Sequence, residues 1–367
     1  MDLYSPVALG DLKLPNRLVM APLTRTRSGA DGVPGALVAE HYAQRASTGL
    51  IITEGTFPVA ESRSYWGQPG IETAEQAAGW AGVADAVHAR GGRLFMQVMH
   101  GGRVSHTDIT GTDRIVAPSA IAVDGEAHTP KGKAAMPVPH ALTTEEVHEV
   151  RDAFVAAARR AVDAGLDGVE IHSANGYLLH QFLAPSSNRR EDEYGGSPQA
   201  RARLVVEVAT AVAAEVGASR VGIRLSPAHN IQDVLETDAA DAGATYEALL
   251  DGLRPLGLAY VSVLHADPAG EFVQGLRHRF GGHFMANDGF GTVTGREDAE
   301  RIIADDVADS VAVGRMVIAN PDLVERWSGG HPENAPNPST FYADGAEGYT
   351  DYPFLDGSTG LSPVDAS

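Results

Sequence analysis

The chain contains no cysteine, which removes disulfides, thiolate metal sites and cysteine nucleophiles together and leaves its redox compartment unmarked. Basic residues are scarce. With 28 Lys and Arg against 48 Asp and Glu, the net charge is -20, so neither nucleic acid nor an anionic membrane surface is expected as a partner. No apolar run approaches the roughly 18 residues of a membrane span. The acidic start, Met1-Asp-Leu-Tyr-Ser-Pro6, lacks the charged-then-apolar pattern of an export signal. A cytoplasmic location is the expectation.

What the chain does have is length and apolar content. Its 367 residues are 43% hydrophobic, ample for one large core, and a single domain over residues 1–367 is expected. Val7-Ala-Leu-Gly-Asp-Leu-Lys-Leu14 alternates about Gly10-Asp11, the pattern of a hairpin within residues 1–16. Eight short β-prone runs follow: Leu18-Val-Met-Ala21, Leu50-Ile-Ile-Thr53, Leu94-Phe-Met-Gln-Val98, Val169-Glu-Ile171, Val221-Gly-Ile-Arg-Leu225, Tyr260-Val-Ser-Val263, Phe284-Met-Ala286 and Val311-Ala-Val313. Helical patterns separate most of them, with start signals at Thr73/Gln76, Thr143/Glu146 and Ser197-Pro198. Eight strand signals alternating with helices predict a closed (β/α)₈ TIM barrel of the α/β class; an open doubly wound sheet is the alternative. Two departures stand out. Residues 101–142 form a long excursion after the third strand, read as a lid or binding loop, and residues 329–367 form a Pro-, Asn- and Gly-rich extension carrying Phe341, Tyr342, Tyr349 and Tyr352.

In such a barrel the working face is the one at the C-terminal ends of the strands. The residues found there are polar: Pro22 to Thr24, Glu54-Gly-Thr56, Gln97 and His100, His172-Ser-Ala-Asn-Gly-Tyr177, Arg224, His265, Asn287-Asp-Gly289 and Gly314-Arg315. His172 and Asn175 supply two neutral donors. Tyr177 supplies a phenol that, near its usual pKa of about 10, yields its proton only to a strong base such as an enolate. That set suits reduction of a polarised double bond. The same residues also suit a structural role, with Asn175 capping a helix, His172 satisfied in the core and Tyr177 packing. A metal is not expected, since His172 and His180 are too far apart for a helical ligand pair. Gly289 and Gly314-Arg315 match a barrel phosphate site, open to a sugar-phosphate isomerase, an aldolase or a flavin enzyme. No Lys follows any of the eight runs, which argues against a Schiff base, and Glu54 is the one good carboxylate candidate at a strand end. Thr24, Gln97 and Arg224 are donor types that suit the polar edge of a flavin ring.

On these landmarks the chain resembles the old yellow enzymes, FMN-dependent ene reductases. The likeness is carried by Pro15-Asn-Arg-Leu-Val-Met-Ala-Pro-Leu-Thr-Arg25, His41-Tyr-Ala-Gln-Arg45, the stretch His172 to Asn188, Tyr194-Gly-Gly196, Gly222-Ile-Arg-Leu-Ser-Pro227, Val313-Gly-Arg315, Ala319-Asn-Pro-Asp-Leu323 and Gly345 to Pro353. Thr24 places it in the branch that has threonine rather than cysteine near the flavin. The resemblance implies non-covalent FMN on the barrel mouth, lined by Pro22, Leu23, Gly55 and Phe341. Thr24 would lie near C4 and N5, Gln97 on the pyrimidine edge, and Arg224 by N1 and C2. Asp288, Gly289, Gly314 and Arg315 would hold the phosphate. It further implies NAD(P)H as reductant in ping-pong kinetics, His172 and Asn175 gripping the oxygen of an enone, maleimide or nitroalkene, and Tyr177 protonating the product. Tyr65, Met99 and Tyr342 would complete the substrate pocket. Met99 stands where many relatives carry an aromatic residue and Gly55 where alanine is common, so a roomier pocket is expected, with Trp66 refilling part of it. A monomer or homodimer is expected. Two other readings remain at this stage: a flavin-free barrel lyase or isomerase acting on a phosphorylated small molecule, and a non-catalytic flavin carrier.

Overall fold

A helical crossover returns the chain to the same end of a sheet, so consecutive strands joined by helices must pair in parallel. A computed structural model describes residues 1–289 and 291–360. In it, β1 (Leu18–Met20), β2 (Leu50–Ile52), β3 (Leu94–Val98), β4 (Gly168–Ser173), β5 (Val221–Leu225), β6 (Tyr260–Leu264), β7 (Phe284–Asn287) and β8 (Ser310–Val313) form one closed parallel barrel in chain order. β8 closes onto β1, and all eight expected runs are in it. β4 extends to Ser173, so His172 is its penultimate residue rather than its end. Phe290 and residues 361–367 of the expected C-terminal extension lie outside the described residues.

Alternate residues of each strand point inward. Val19, Leu50, Ile52, Phe95, Tyr260, Met285 and Ala312 fill the lower barrel, together with Leu9 and Leu14 of the N-terminal hairpin. That hairpin pairs Val7–Leu9 with Leu12–Leu14 and plugs the barrel's N-terminal end. Its turn residue Gly10 has φ +54, and a Cβ there would lie 2.1 Å from the Ser219 carbonyl oxygen, so no side chain fits. Gln97, Glu170, Gly222 and Tyr260 are direct neighbours in register across β3, β4, β5 and β6. The Tyr260 ring lies across Gly222, where a Cβ would come within 2.1 Å of its Cζ.

The outer helices start as their sequence signals require. Thr143 and Glu146 exchange side chain-to-backbone bonds at the head of Thr144–Asp163, Thr73 and Gln76 do the same for Ala74–His88, and Ser197 caps Pro198–Val216. Among the described residues no helix is long and apolar enough to cross a membrane.

The excursion after β3 is structured rather than loose. It contains a hairpin, Glu126–Thr129 with Gly132–Ala135, and a parallel bridge between Val116–Ala117 and His140–Ala141. Lys131 and Lys133 sit exposed in the hairpin, paired with Asp108 and Glu126. The C-terminal extension folds back. Tyr349 is fully buried, stacked on His41 at 3.9 Å between ring centroids. Arg25 and Arg27 lie 4.9 and 4.6 Å from its ring centre.

Candidate active site

The end of β4 runs into a tight left-handed turn. Asn175 has φ +58, a conformation asparagine tolerates better than most residues. Its backbone is held on both sides: its N–H donates to Ser226 Oγ (2.7 Å) and its carbonyl accepts from Gln232 Nε2 (2.9 Å). Its side-chain Oδ1 is buried without a partner among the described residues, so the residue is fixed in place by backbone contacts while that oxygen stays uncommitted.

His172 is 3% exposed. Its Nδ1 accepts the Ala174 N–H at 3.3 Å, an arrangement that puts the ring proton on Nε2. Burial first, then Arg224 and His180, hold its pKa well below the ordinary histidine value. It is therefore a neutral donor.

Tyr177 starts the helix Leu178–Leu183, and its hydroxyl meets that of Tyr65 at 2.6 Å. Burial, then Tyr65, raise the Tyr177 phenol well above its ordinary value, while Gln232 pulls it down. The His172 and Tyr177 rings meet edge to face at 5.0 Å. Met99, Val104 and Tyr177 form one apolar cluster with Tyr65, Val123 and Met136. Val123 and Met136 come from the excursion, which docks on the loop after β5: Arg103 bridges the carbonyls of Ile121 and Gln232, and Asp124 N–H donates to Asp233.

Below this wall lies Arg224, paired in register with His172 on the adjacent strand. It is 4% exposed, yet its Nε and Nη1 have no partner among the described residues. A buried guanidinium in that state implies an acceptor supplied from outside the chain. Gln97 was expected to offer donors to that acceptor. The structure commits one Nε2 N–H to Glu170 Oε1 at 2.8 Å, which leaves the second N–H and the amide carbonyl for other partners. Pro22, Leu23 and Thr24 follow β1 and are all partly exposed, as are Asp288, Gly289, Gly314 and Arg315 at the ends of β7 and β8. These segments lie at the C-terminal ends of β1, β7 and β8, and their residue types suit a polar-edged ligand such as FMN.

Several placements differ from expectation. The Gly289 N–H, expected to face a phosphate, donates to Asn287 Oδ1 at 3.2 Å, and Asp288 accepts from Thr294. A Cβ on Gly55 would lie 2.5 Å from Met99 Sδ, so the space gained by losing alanine is taken by methionine, not left open. Trp66 is 44% exposed over the Arg63 guanidinium instead of refilling the pocket. Tyr342 is 70% exposed at the rim, close enough to raise the Tyr65 and Tyr177 phenols. The Phe341 carbonyl accepts from Arg25 and Arg27, and Glu54 accepts the Arg25 and Thr26 N–H groups. Both Glu54 bonds fall on Oε2, which organises the β1 loop, while the buried Oε1 has no partner among the described residues. Glu170, Tyr260, Gln232, Ser226 and Met136 are site residues that sequence reasoning missed. Glu170 alone left a trace, as a charged residue inside an apolar run.

Three buried histidines predict an acid-side stability loss. His41, His100 and His172 are all held below the ordinary value chiefly by burial, His100 to about 3. The unfolded chain takes up these protons near pH 6.5 while the folded chain does not. Stability is therefore intact above that pH and falls below it, by about 1.4 kcal/mol per unit for each histidine until its folded pKa is reached. Denaturant midpoints between pH 7 and pH 5 should show this slope, and His100→Asn should flatten it. An unchanged slope in that variant counts against the assignment.

Residues 2–334 match the family described as NADH:flavin oxidoreductase / NADH oxidase. A probable flavin mononucleotide-dependent alkene reductase of Leishmania infantum is 40% identical, the alignment covering 96% of this chain and 97% of that one. An old yellow enzyme homologue from Zymomonas mobilis superimposes with TM-score 0.91 at 36% identity, covering 97% of this chain and 100% of its own. Morphinone reductase in complex with tetrahydroNAD superimposes with TM-score 0.91 at 44% identity, covering 97% and 98%.

Proposed function

Because this chain belongs to the NADH:flavin oxidoreductase / NADH oxidase family, the old yellow enzymes, we propose that it reduces the C=C bond of α,β-unsaturated ketones and aldehydes, maleimides and nitroalkenes. It is an FMN-dependent NAD(P)H oxidoreductase of the alkene-reductase kind. The observation that carries the finer reading is the pairing, at one level of β4 and β5, of a buried guanidinium whose Nε and Nη1 find no hydrogen-bond partner among the described residues with a neutral histidine donor.

Arg224 and Gln97 would hold the polar edge of FMN, Thr24 with Pro22, Leu23 and Gly55 its ring, and Gly314 and Arg315 its phosphate. The chemistry FMN supplies when bound is two-electron hydride exchange, from NAD(P)H in one half-reaction and to the substrate's β-carbon in the other. His172 Nε2–H and the Asn175 amide bind the carbonyl or nitro oxygen, and both bonds strengthen as negative charge develops there. The Tyr177 hydroxyl holds the proton destined for the α-carbon. Tyr65, 2.6 Å away, donates a hydrogen bond that stabilises the phenolate left behind, which solvent reprotonates. Met99, Val104 and Met136 give the pocket an apolar, adaptable wall that excludes water, suited to cyclic enones.

The purified protein should be yellow. Anaerobic NADH or NADPH should bleach it, and a cyclic enone or nitroalkene should restore the colour. A colourless protein returns the reading to a flavin-free lyase or isomerase; a yellow one that neither nicotinamide bleaches is a carrier.

A further inference from the structure

Glu170 lies two residues before His172 on β4 and therefore on the same inward face, one layer deeper. It is fully buried in the closed barrel. Its Oε1 accepts from Gln97 Nε2 at 2.8 Å and its Oε2 from the Tyr260 hydroxyl at 3.0 Å. Tyr260 reaches it only because Gly222, between them in register, has no side chain. Burial raises the Glu170 carboxyl above its ordinary value, and Arg224, Gln97 and Tyr260 each pull it back. Two donors and a cation face it, so the carboxylate is the form that its neighbours satisfy.

We propose that Glu170 is a positioning residue that fixes the direction of the Gln97 amide and sets the net charge beside Arg224, and so governs how tightly the flavin is held and at what potential it is reduced. This rests on the reading that FMN occupies the cradle above.

The first half follows from donor arithmetic. An amide that faces a carboxylate must turn its NH₂ toward it, so Gln97 presents its carbonyl oxygen, with the second N–H beside it, on its other side; without Glu170 the amide is free to flip. The second half follows from charge. Arg224 alone would favour negative charge on the reduced ring, and a buried carboxylate next to it opposes that preference in a medium where screening is weak. A purely structural role, satisfying the Tyr260 hydroxyl, predicts neither effect.

The test compares the FMN-loaded wild type with three variants, each first shown to be folded by its thermal melt. Glu170→Gln removes the charge and should move the flavin midpoint potential to more positive values. Glu170→Asp keeps the charge but retracts from Gln97; its apoprotein should bind FMN about tenfold more weakly, the size of one lost charge-assisted bond. Tyr260→Phe removes only the hydroxyl and should change both readouts far less. An unshifted potential in folded Glu170→Gln, or wild-type FMN affinity in Glu170→Asp, overturns the proposal. If Glu170→Gln does not fold, the aspartate variant decides alone. A wild-type protein that binds no FMN would instead sink the cofactor reading itself.

Discussion

His172→Ala is expected to lower kcat for a cyclic enone by about 10² to 10³, equivalent to roughly 3 kcal/mol of lost transition-state stabilisation. The magnitude follows from where the ring sits. It is buried, its Nδ1 is spent on the Ala174 N–H, and burial beside Arg224 keeps it neutral, so its Nε2–H is a preorganised donor in a site with little water. Alanine removes the donor without placing any other group there. Asn175→Ala should lose a comparable amount, and the double variant less than the sum, because both donors act on one oxygen. Reduction of the flavin by NAD(P)H should suffer less than reoxidation by the enone. Stopped-flow measurement of the two half-reactions separates them; a loss below about tenfold in reoxidation, or ~1.4 kcal/mol, would show that the substrate oxygen binds elsewhere.

That His172, Asn175 and Tyr177 lie at the C-terminal end of one strand could be read before any coordinates, because strand parity and the C-terminal-end rule are local. Eight apolar runs and the caps at Thr73, Thr143 and Ser197 translate directly into the barrel and its outer helices. What could not be read depends on partners brought together by closure. Gln97 looks like a free donor in the sequence because nothing local says that Glu170, 73 positions away, lies beside it in register. Gly55 looks like an emptied pocket because the sequence does not say where a flexible methionine will turn, and Met99 turns into that space. Tyr342 and Tyr349 are seven positions apart in one Pro- and Gly-rich tail with no periodicity. One is exposed and the other is the buried anchor of the fold-back, a distinction made by Arg25, Arg27 and His41, which lie some 300 positions earlier.

The same fold-back predicts the largest stability effect. Arg45→Met should cost about 3–5 kcal/mol, a fall in Tm of roughly 4–7 °C for a chain of this size. Arg45 is fully buried and donates to the carbonyls of Val317 (2.9 Å), His41 (2.7 Å) and Ile318 (2.6 Å), and to Gln44 Oε1 (3.2 Å). A longer bond reaches the Tyr349 carbonyl at 3.4 Å. Methionine fills the volume but leaves these acceptors buried and unpaired. The loss is partly offset, because burial, and next Arg25, already pull the guanidinium down to about 9, a cation kept at some cost. Arg27→Met, at a half-buried position, should cost less than half as much. Val317 and Ile318 belong to the short helix Arg315–Ala319 that follows β8, so Arg45 ties the helix Ala36–Gln44 and the C-terminal fold-back to the segment proposed to hold the FMN phosphate. The variant should therefore release FMN at a lower temperature than it unfolds, seen as a rise in flavin fluorescence ahead of the loss of helical circular dichroism. Coincident transitions in both wild type and variant would mean that the fold-back supports the barrel as a whole and not the phosphate end of the site.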